Sequence, residues 1–144
     1  MKLTIKQAIL TFVVVLGSAF YASLSMAEIS VIVNPANRSA ITEKDIKQIY
    51  LGKRHSFPDG GAVSAVDQKE GAADRTTFNS KVLGKSDKQM STYWAQMLFT
   101  GKATPPRDGG DSFAVKDLVG KEPSAIGYID SSAVDDSVRV VFTF

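Results

Sequence analysis

The 144-residue chain contains no cysteine and a single histidine, His55. The lack of cysteine excludes a disulfide framework, a thiolate zinc site, a cysteine nucleophile and a lipid-modified cysteine behind a leader. A single histidine also excludes a metal centre built from several histidines. Glycine and proline contribute only 11 and 5 residues, and 44% of the residues are hydrophobic. Fibrous and intrinsically disordered proteins are therefore excluded as well.

Neither sign of charge is in large excess, since 17 Lys and Arg face 15 Asp and Glu. The two surplus charges, Lys2 and Lys6, precede a long apolar run that closes with the small residues Ser25 and Ala27. This layout is typical of a secretory signal peptide. We expect cleavage between Ala27 and Glu28 and release into the periplasm as a soluble protein. The alternative is an uncleaved anchor, in which case only this segment contacts the membrane.

After removal of residues 1–27, we expect a single small domain of 117 residues, 28–144. This domain carries 15 basic and 15 acidic side chains. Nucleic acid is not expected as a partner, because no surplus positive charge remains to neutralise phosphates. No catalytic motif of the Gly-x-Ser-x-Gly, His-Glu-x-x-His or P-loop type is present. Carboxylate pairs such as Asp108 and Asp111 are typical of turns and caps, and a hydrolase would require a pocket that gathers them. We therefore expect no enzyme, no cofactor and no metal site.

Alternating strand and helix patterns in the mature chain predict an α/β domain with a mixed sheet flanked by helices. The predicted strands are 29–33, 62–67, 125–129 and 138–144, and the predicted helices begin near Thr42, Ala72, Ser86 and Ser112. Capping-box pairs, Thr42 with Asp45 and Ser86 with Gln89, indicate two of these helix starts. The helix that follows Ser86 is expected to bury a stripe from Met90 to Leu98. Residues 104–107 predict an extended linker.

The segment between the second strand and the next helix is the strongest candidate for a ligand site. Free N–H groups at a helix start, beside the carboxyl end of a strand, can form an anion cradle. Gly71 permits a sharp bend, and Lys69 and Arg75 add charged donors. The candidate oxyanion-binding residues are Gln68, Lys69, Gly71, Ala72, Ala73, Arg75 and Thr76. The alternative is an ordinary turn in which Asp74 complements the helix dipole. The helix start at 109–112 is a weaker candidate, because its own acidic or hydroxyl residue is expected to cap it.

Two short segments carry a resemblance to a known family. Residues 45–53, DIKQIYLGK, resemble the "helix, then Ile-Phe/Tyr-Leu-Gly-Lys" segment of PstS-type phosphate ABC transporter substrate-binding proteins. Residues 124–129, SAIGYI, resemble the "Gly-Ala-Ile-Gly-Tyr-Val" strand of that family. Residues 63–78 take the place of its phosphate loop, which reads Arg-x-x-Gly-Ser-Gly-Thr. The order and approximate spacing match from about Val31 to Val140.

The resemblance implies a single periplasmic-binding-protein-like lobe of the type II class, since family members hold phosphate between two lobes and this chain is similar to the central one. It implies phosphate or a related oxyanion as the ligand, and an ABC permease or another periplasmic protein as a partner. The family's Arg falls at Gln68, and its Ser-Gly-Thr falls at Ala72, Ala73 and Asp74. The guanidinium and both hydroxyls are thus lost, so at most weak binding is expected. The alternative is a ligand-free protein-interaction module or homo-oligomer in the periplasm.

Overall fold

A computed structural model describes residues 27–144 of the chain. The expected signal peptide, 1–27, lies outside these residues except for Ala27, and both the leader and its cleavage site stay predictions. Within the described part, no helix is long and apolar enough to cross a membrane. The strands are β1 (Ile29–Val33), β2 (Ser64–Asp67), β3 (Arg107–Asp108), β4 (Ala125–Asp130) and β5 (Arg139–Thr143), and the α-helices are α1 (Glu43–Tyr50), α2 (Ala73–Phe78), α3 (Asp87–Phe99) and α4 (Ser112–Lys121).

The five strands form one mixed sheet in the order β3-β2-β4-β1-β5. β2 runs parallel to β3 and β4, whereas β1 is antiparallel to β4 and β5. The predicted α/β fold, with a mixed sheet flanked by helices, is confirmed. Because β2, β3 and β4 run in the same direction, their carboxyl ends lie at one edge of the sheet. The last residues of these three strands are Asp67, Asp108 and Asp130.

Local side-chain caps start two of the helices where the sequence predicts them. At the start of α1, the Thr42 side chain accepts a hydrogen bond from the Asp45 N–H, and the Asp45 carboxylate accepts one from the Thr42 N–H at 2.9 Å. At the start of α3, Ser86 and Gln89 form the same reciprocal pair, with distances of 2.9 and 3.1 Å. Both capping boxes are confirmed, because each depends only on residues three positions apart.

Apolar side chains cover both faces of the sheet. α1 and α2 cover one face, where the Phe78 ring stacks on the Tyr128 ring with a centroid distance of 3.9 Å and the Tyr50 ring meets Phe78 edge-on. α4 covers the other face through Val115 and its neighbours. This helix lies so close to β4 that a Cβ atom at Gly127 would be 2.6 Å from a Val115 methyl group. The predicted site is therefore supported by a packed core on both sides of the sheet.

The ends of three predicted strands are shifted by one or two residues, and the structure differs from the predicted elements at three further places. Arg107 was predicted to end an extended linker. Instead, Arg107 and Asp108 pair with β2 and form the short edge strand β3. The predicted helix from Ala72 to Leu83 changes to π-helical geometry at Asn79–Leu83. The expected buried stripe of α3 includes Met90 and Trp94, but it is wrong for Leu98, which is 52% exposed. The Trp94 ring packs against the Gly52 segment, whereas the last turn of α3 extends past this contact.

Candidate functional site

The candidate residues Gln68 to Thr76, called here the loop segment, connect the end of β2 to the first turn of α2. Gly71 turns the chain with a φ of +83°, a left-handed conformation that glycine adopts most readily. Ala72 is the N-cap residue of α2, and no side chain caps this helix. Its first-turn N–H groups have no intrahelical acceptor, as at any helix start. The strand-to-helix geometry expected for an anion cradle is therefore present.

Asp67, the last residue of β2, holds a nearly buried carboxylate directly behind the loop segment. Its side chain is 13% exposed and accepts hydrogen bonds from the Tyr128 hydroxyl and from the Gln68 N–H. Arg75 Nε lies 3.5 Å from the same carboxylate. Burial raises the pKa of Asp67, although the Tyr128 hydrogen bond and the Arg75 charge oppose this shift. Burial and the neighbouring Asp67 charge also raise the pKa of Tyr128 far above its usual range.

Two of the predicted donors, Arg75 and Gln68, are directed into the protein. Arg75 Nη1 donates to the Gln68 carbonyl oxygen at 3.0 Å, in addition to its contact with Asp67. Gln68 itself is only 2% exposed. Its side-chain amide donates to Ser112 Oγ at 3.0 Å and to the Tyr128 carbonyl oxygen at 3.1 Å. A charged donor and an amide donor of the loop segment therefore already have acceptors.

Ser112, the first residue of α4, is a hydrogen-bonding hub. The sequence indicated it only as part of the weaker candidate segment, 109–112. Its hydroxyl accepts from the Gln68 amide and from the Asp130 N–H at 3.2 Å, and it donates to the Asp74 carboxylate at 3.0 Å. The preceding Asp111 caps α4 by accepting from the Ala114 N–H, as expected. These bonds join the loop segment to α4 and β4. The hub was missed because its partners are 18 to 44 positions away in sequence.

The remaining candidate residues lie at the surface. Lys69 and Ala73 are exposed, and the Lys69 N–H donates to the Gly110 carbonyl oxygen at 2.9 Å. The Thr76 hydroxyl donates to the Asp87 carboxylate at 2.5 Å. This hydrogen bond lowers the pKa of Asp87, together with a second one from an asparagine amide. The loop segment also borders a groove of about 330 Å³, which has walls lined by Glu70, Gly71, Arg75, Asn79, Asp87 and Trp94.

Carboxylates dominate the charge around the loop segment. Asp67, Asp108 and Asp130 end the three parallel strands. Asp74 lies in the first turn of α2, and Asp111 caps α4. Only two basic side chains, Lys69 and Arg75, belong to the segment itself. Like charges around a site raise the free energy of a bound anion. Among residues 27–144, no three acidic or histidine side chains are grouped closely enough to hold a metal ion.

Solved structures provide the comparison for this arrangement. No protein-family model matches the chain. A Clostridium perfringens protein, described as a phosphate ABC transporter substrate-binding protein and solved with bound phosphate, matches 80% of this chain with 27% identity and a TM-score of 0.62. The described residues share the α/β fold of part of this periplasmic binding protein. An ABC-type phosphate transport receptor from Vibrio cholerae matches the same share with 21% identity and a TM-score of 0.64. PstS from Borrelia burgdorferi does so with 14% identity and a TM-score of 0.59.

The chain spans less than half the length of each of these three structures. The matches extend over 45%, 46% and 47% of the lengths of these three structures. The predicted resemblance to a single lobe of the PstS type is confirmed. The relatives are named as substrate-binding or transport proteins and not as enzymes, which agrees with the absence of a catalytic motif in the sequence.

Proposed function

We propose that residues 28–144 form an exported solute-binding domain of the phosphate-uptake class, which binds phosphate or a related oxyanion weakly at the loop segment. The observation that carries this proposal is the match, over 80% of the chain, to a protein solved with bound phosphate. In open α/β sheets, ligands bind beyond the carboxyl ends of the parallel strands. The loop segment leaves β2 at that end and enters α2.

The main-chain N–H groups at the start of α2 are the donors we assign to the anion. No side chain caps this helix, and the first N–H groups of a helix have no intrahelical acceptor, so those of Ala73 and Asp74 are available to a ligand. Nothing lies within 4 Å of a Cβ atom placed at Gly71, so the turn leaves space for a small ligand. The exposed ammonium group of Lys69 can move toward an ion held there, since long lysine side chains are flexible.

The affinity should be low, because the strongest donors of the segment have internal acceptors. Arg75 and Gln68 are bonded inside the protein, and the carboxylate of Asp74 lies in the first turn of α2. Phosphate would therefore meet main-chain N–H groups and one flexible lysine, close to a negative charge. An anion that leaves most of its oxygens in water retains much of its hydration, and its binding gains little free energy.

We propose the periplasm as the location and a membrane permease or another periplasmic protein as the partner. The proposal of export depends on the leader of residues 1–27, whose apolar run closes with small residues before Glu28. The proposal of a permease depends on the similar solved structures, which include an ABC-type phosphate transport receptor. N-terminal sequencing of the protein recovered from the periplasm tests the first point, with Glu28 expected as the first residue.

A protein-interaction module or homo-oligomer is the second candidate function. It is favoured by the last turn of α3, where Phe99 is 92% exposed and Leu98 is 52% exposed. Adjacent exposed apolar side chains of this size mark contact surfaces in many proteins. Light scattering during size-exclusion chromatography, with Phe99→Ser as the variant, tests this candidate. A dimer that the substitution converts to a monomer supports it, and a monomeric wild-type protein without a captured partner contradicts it.

Isothermal titration calorimetry of the exported, processed protein tests the proposed oxyanion binding. We expect saturable heat with phosphate at millimolar concentration, and weaker binding after Lys69→Gln. Lys53→Gln, which removes the same charge from a surface turn outside the segment, serves as the matched control and should leave the affinity unchanged. Absence of heat at millimolar phosphate and sulfate would remove the oxyanion proposal.

A further inference from the structure

A second groove, called here the amino-end groove, lies on the side of the sheet where β2 and β3 begin. Its volume is about 280 Å³. The end of α1 at Ile49 and Gly52, the start of β2 at Val63 to Ala65, and the segment Thr104 to Arg107 form its walls. The loop segment lies at the other ends of the same strands and contributes no residue to this groove. The loop segment is therefore not part of the amino-end groove, although Pro105 lines both this groove and the groove beside the loop segment.

The charge of the amino-end groove is opposite to that of the loop segment. Arg54, His55 and Arg107 all line it. Among residues 27–144, no aspartate or glutamate lines it. The other lining side chains are apolar, proline or hydroxyl-bearing. Ser64 and Thr104 add hydroxyl groups to the walls. A groove with basic donors and hydroxyl groups beside a smaller apolar part of its floor matches an organic anion that carries a carboxylate.

Each guanidinium in the groove is fixed from outside and keeps N–H groups without partners. Arg54 donates through Nη1 to Asp45 at 2.5 Å and through Nε to the Ser56 carbonyl oxygen at 2.9 Å. Arg107 donates through Nη2 to Glu122. Within residues 27–144, Arg54 Nη2 and the Nε and Nη1 atoms of Arg107 have no hydrogen-bond acceptor. Because neither carboxylate lines the groove, both ion pairs lie outside it and donors of the two guanidinium groups remain for a ligand.

The apolar part of the floor determines which anion fits best. The partly buried Val63 and Ala65 contribute aliphatic surface, and Pro105 and Pro106 contribute rigid rings. Inorganic phosphate would leave this surface in contact with water, so the floor adds nothing to its binding. A carboxylate on a ring or a short branched chain would bury it and gain free energy in proportion to the apolar area covered.

We propose that the amino-end groove binds a small monocarboxylate with an apolar body, whose carboxylate is held by Arg54 and Arg107. This site is independent of the proposed oxyanion binding at the loop segment. His55 is exposed at the rim of the groove and adds a third donor. The volume of about 280 Å³ is at the lower end for small-molecule pockets, which limits the ligand to a single ring or a chain of similar size.

The single tryptophan of the chain provides the signal for a test. A Cβ atom placed on Gly52, a lining residue, would lie 3.0 Å from the ring of Trp94, so this ring is adjacent to the groove. The ring also lines the groove beside the loop segment, so the Arg107→Gln and Lys69→Gln variants assign any fluorescence change to one of the two. Cyclohexanecarboxylate is the probe, because it carries the required chemistry and does not absorb where tryptophan is excited. Cyclohexylmethylamine is its counterpart with the same ring and the opposite charge.

We expect cyclohexanecarboxylate to change Trp94 fluorescence saturably at millimolar concentration, and the amine to cause no saturable change. Arg107→Gln should weaken binding about fivefold, as expected for one partly exposed charge-assisted hydrogen bond. Arg107 forms a surface ion pair, with the two side chains 43% and 41% exposed, so this substitution should not impair folding. Arg38→Gln, at an exposed arginine outside the groove, is the matched control and should bind like the wild type.

Three results would overturn the proposal. The first is the absence of a saturable response to the carboxylate. The second is equal binding of the amine, which would show that the apolar floor alone attracts the ring. The third is unchanged binding by Arg107→Gln together with weakened binding by Lys69→Gln, which would place the probe at the loop segment. Circular dichroism of each variant confirms that the fold is retained.

Discussion

The two ends of β2 differ in how their polar groups are used. At the carboxyl end, the loop segment carries Arg75 and Gln68, but both are hydrogen-bonded within the protein and surrounded by carboxylates. At the amino end, Arg54 and Arg107 are also hydrogen-bonded within the protein, but their remaining N–H groups border a groove that no carboxylate lines. The comparison shows that the type of residue at a site does not determine whether a ligand can use it. The acceptor that each donor already has must also be known.

The largest expected effect follows from removing the carboxylate at the centre of the loop network. Asp67→Ala leaves the Tyr128 hydroxyl, the Gln68 N–H and Arg75 without this acceptor. We expect a loss of about 3 kcal/mol in the free energy of unfolding, as for other buried networks that lose one charged member. Urea denaturation measures it. Asp108→Ala, at the end of the neighbouring strand β3, is the control and should cost less than about 1 kcal/mol. Equal losses would contradict the assignment of a special role to Asp67.

The pH dependence of stability tests the raised pKa of the same carboxylate. The pKa of Asp67 is raised in the folded protein, first of all by burial. The folded state therefore binds a proton more readily than the unfolded chain, and this group contributes stability that increases as the pH falls through its folded pKa. The free energy of unfolding of wild type and of Asp67→Asn is measured by urea denaturation at neutral and at acidic pH. Relative to the variant, the wild type should be more stable at acidic pH than at neutral pH. A shift in the opposite direction would contradict the raised pKa.

The hub of the loop network should give the next largest effect. Ser112→Ala removes one hydroxyl that serves Gln68, Asp74 and the Asp130 N–H. We expect a loss of about 2 kcal/mol in the free energy of unfolding, because buried donors on both sides lose their acceptor. Ser91→Ala, on the exposed side of α3, is the matched control and should change stability by less than about 0.5 kcal/mol. Indistinguishable variants would mean that water replaces the hydroxyl without loss.

The smallest expected effect concerns the charge that opposes an anion at the loop segment. Asp74→Asn keeps the acceptor for the Ser112 hydroxyl and removes the negative charge from the first turn of α2. We expect phosphate to bind about fivefold more tightly, since a like charge near the ion is removed. Calorimetry measures the change. Asp136→Asn, at an exposed residue elsewhere, alters the net charge equally and should have no effect. An equal gain in both variants would assign the effect to net charge alone.

Short-range patterns in the sequence predicted most of the fold. The capping boxes at Thr42 and Ser86 depend on neighbours three residues apart, and both helices begin where expected. The two-residue strand β3 is too short for any alternation of side chains to reveal it. The exposure of Leu98 depends on how far α3 extends past the Gly52 segment, and the local helical pattern carries no information about that distance.

The hydrogen bonds of the site could not be predicted from spacing alone. The loop position and its candidate residues follow from the strand-to-helix pattern. The acceptor of the Gln68 amide, however, is a carbonyl oxygen 60 residues away on β4, and the Tyr128 hydroxyl reaches Asp67 across 61 residues. Three of the strands end with an aspartate, but the sequence predicted only the end of β2 at Asp67, because β3 was not expected and β4 was expected to end at Ile129. Because the parallel direction of these strands was not established, the sequence did not indicate that their charges meet at one edge.

A residue-resolved NMR titration tests the central claim most directly. The amide signals of ¹⁵N-labelled, processed protein are followed during separate additions of phosphate and cyclohexanecarboxylate. We predict that phosphate shifts the amides of Ala72, Ala73 and Asp74, while the carboxylate shifts those of Gly52 and Ser64 and leaves the loop segment unchanged. Shifts of the same amides by both anions, or no saturable shift at the loop segment with millimolar phosphate, would contradict the division of the molecule into two distinct sites.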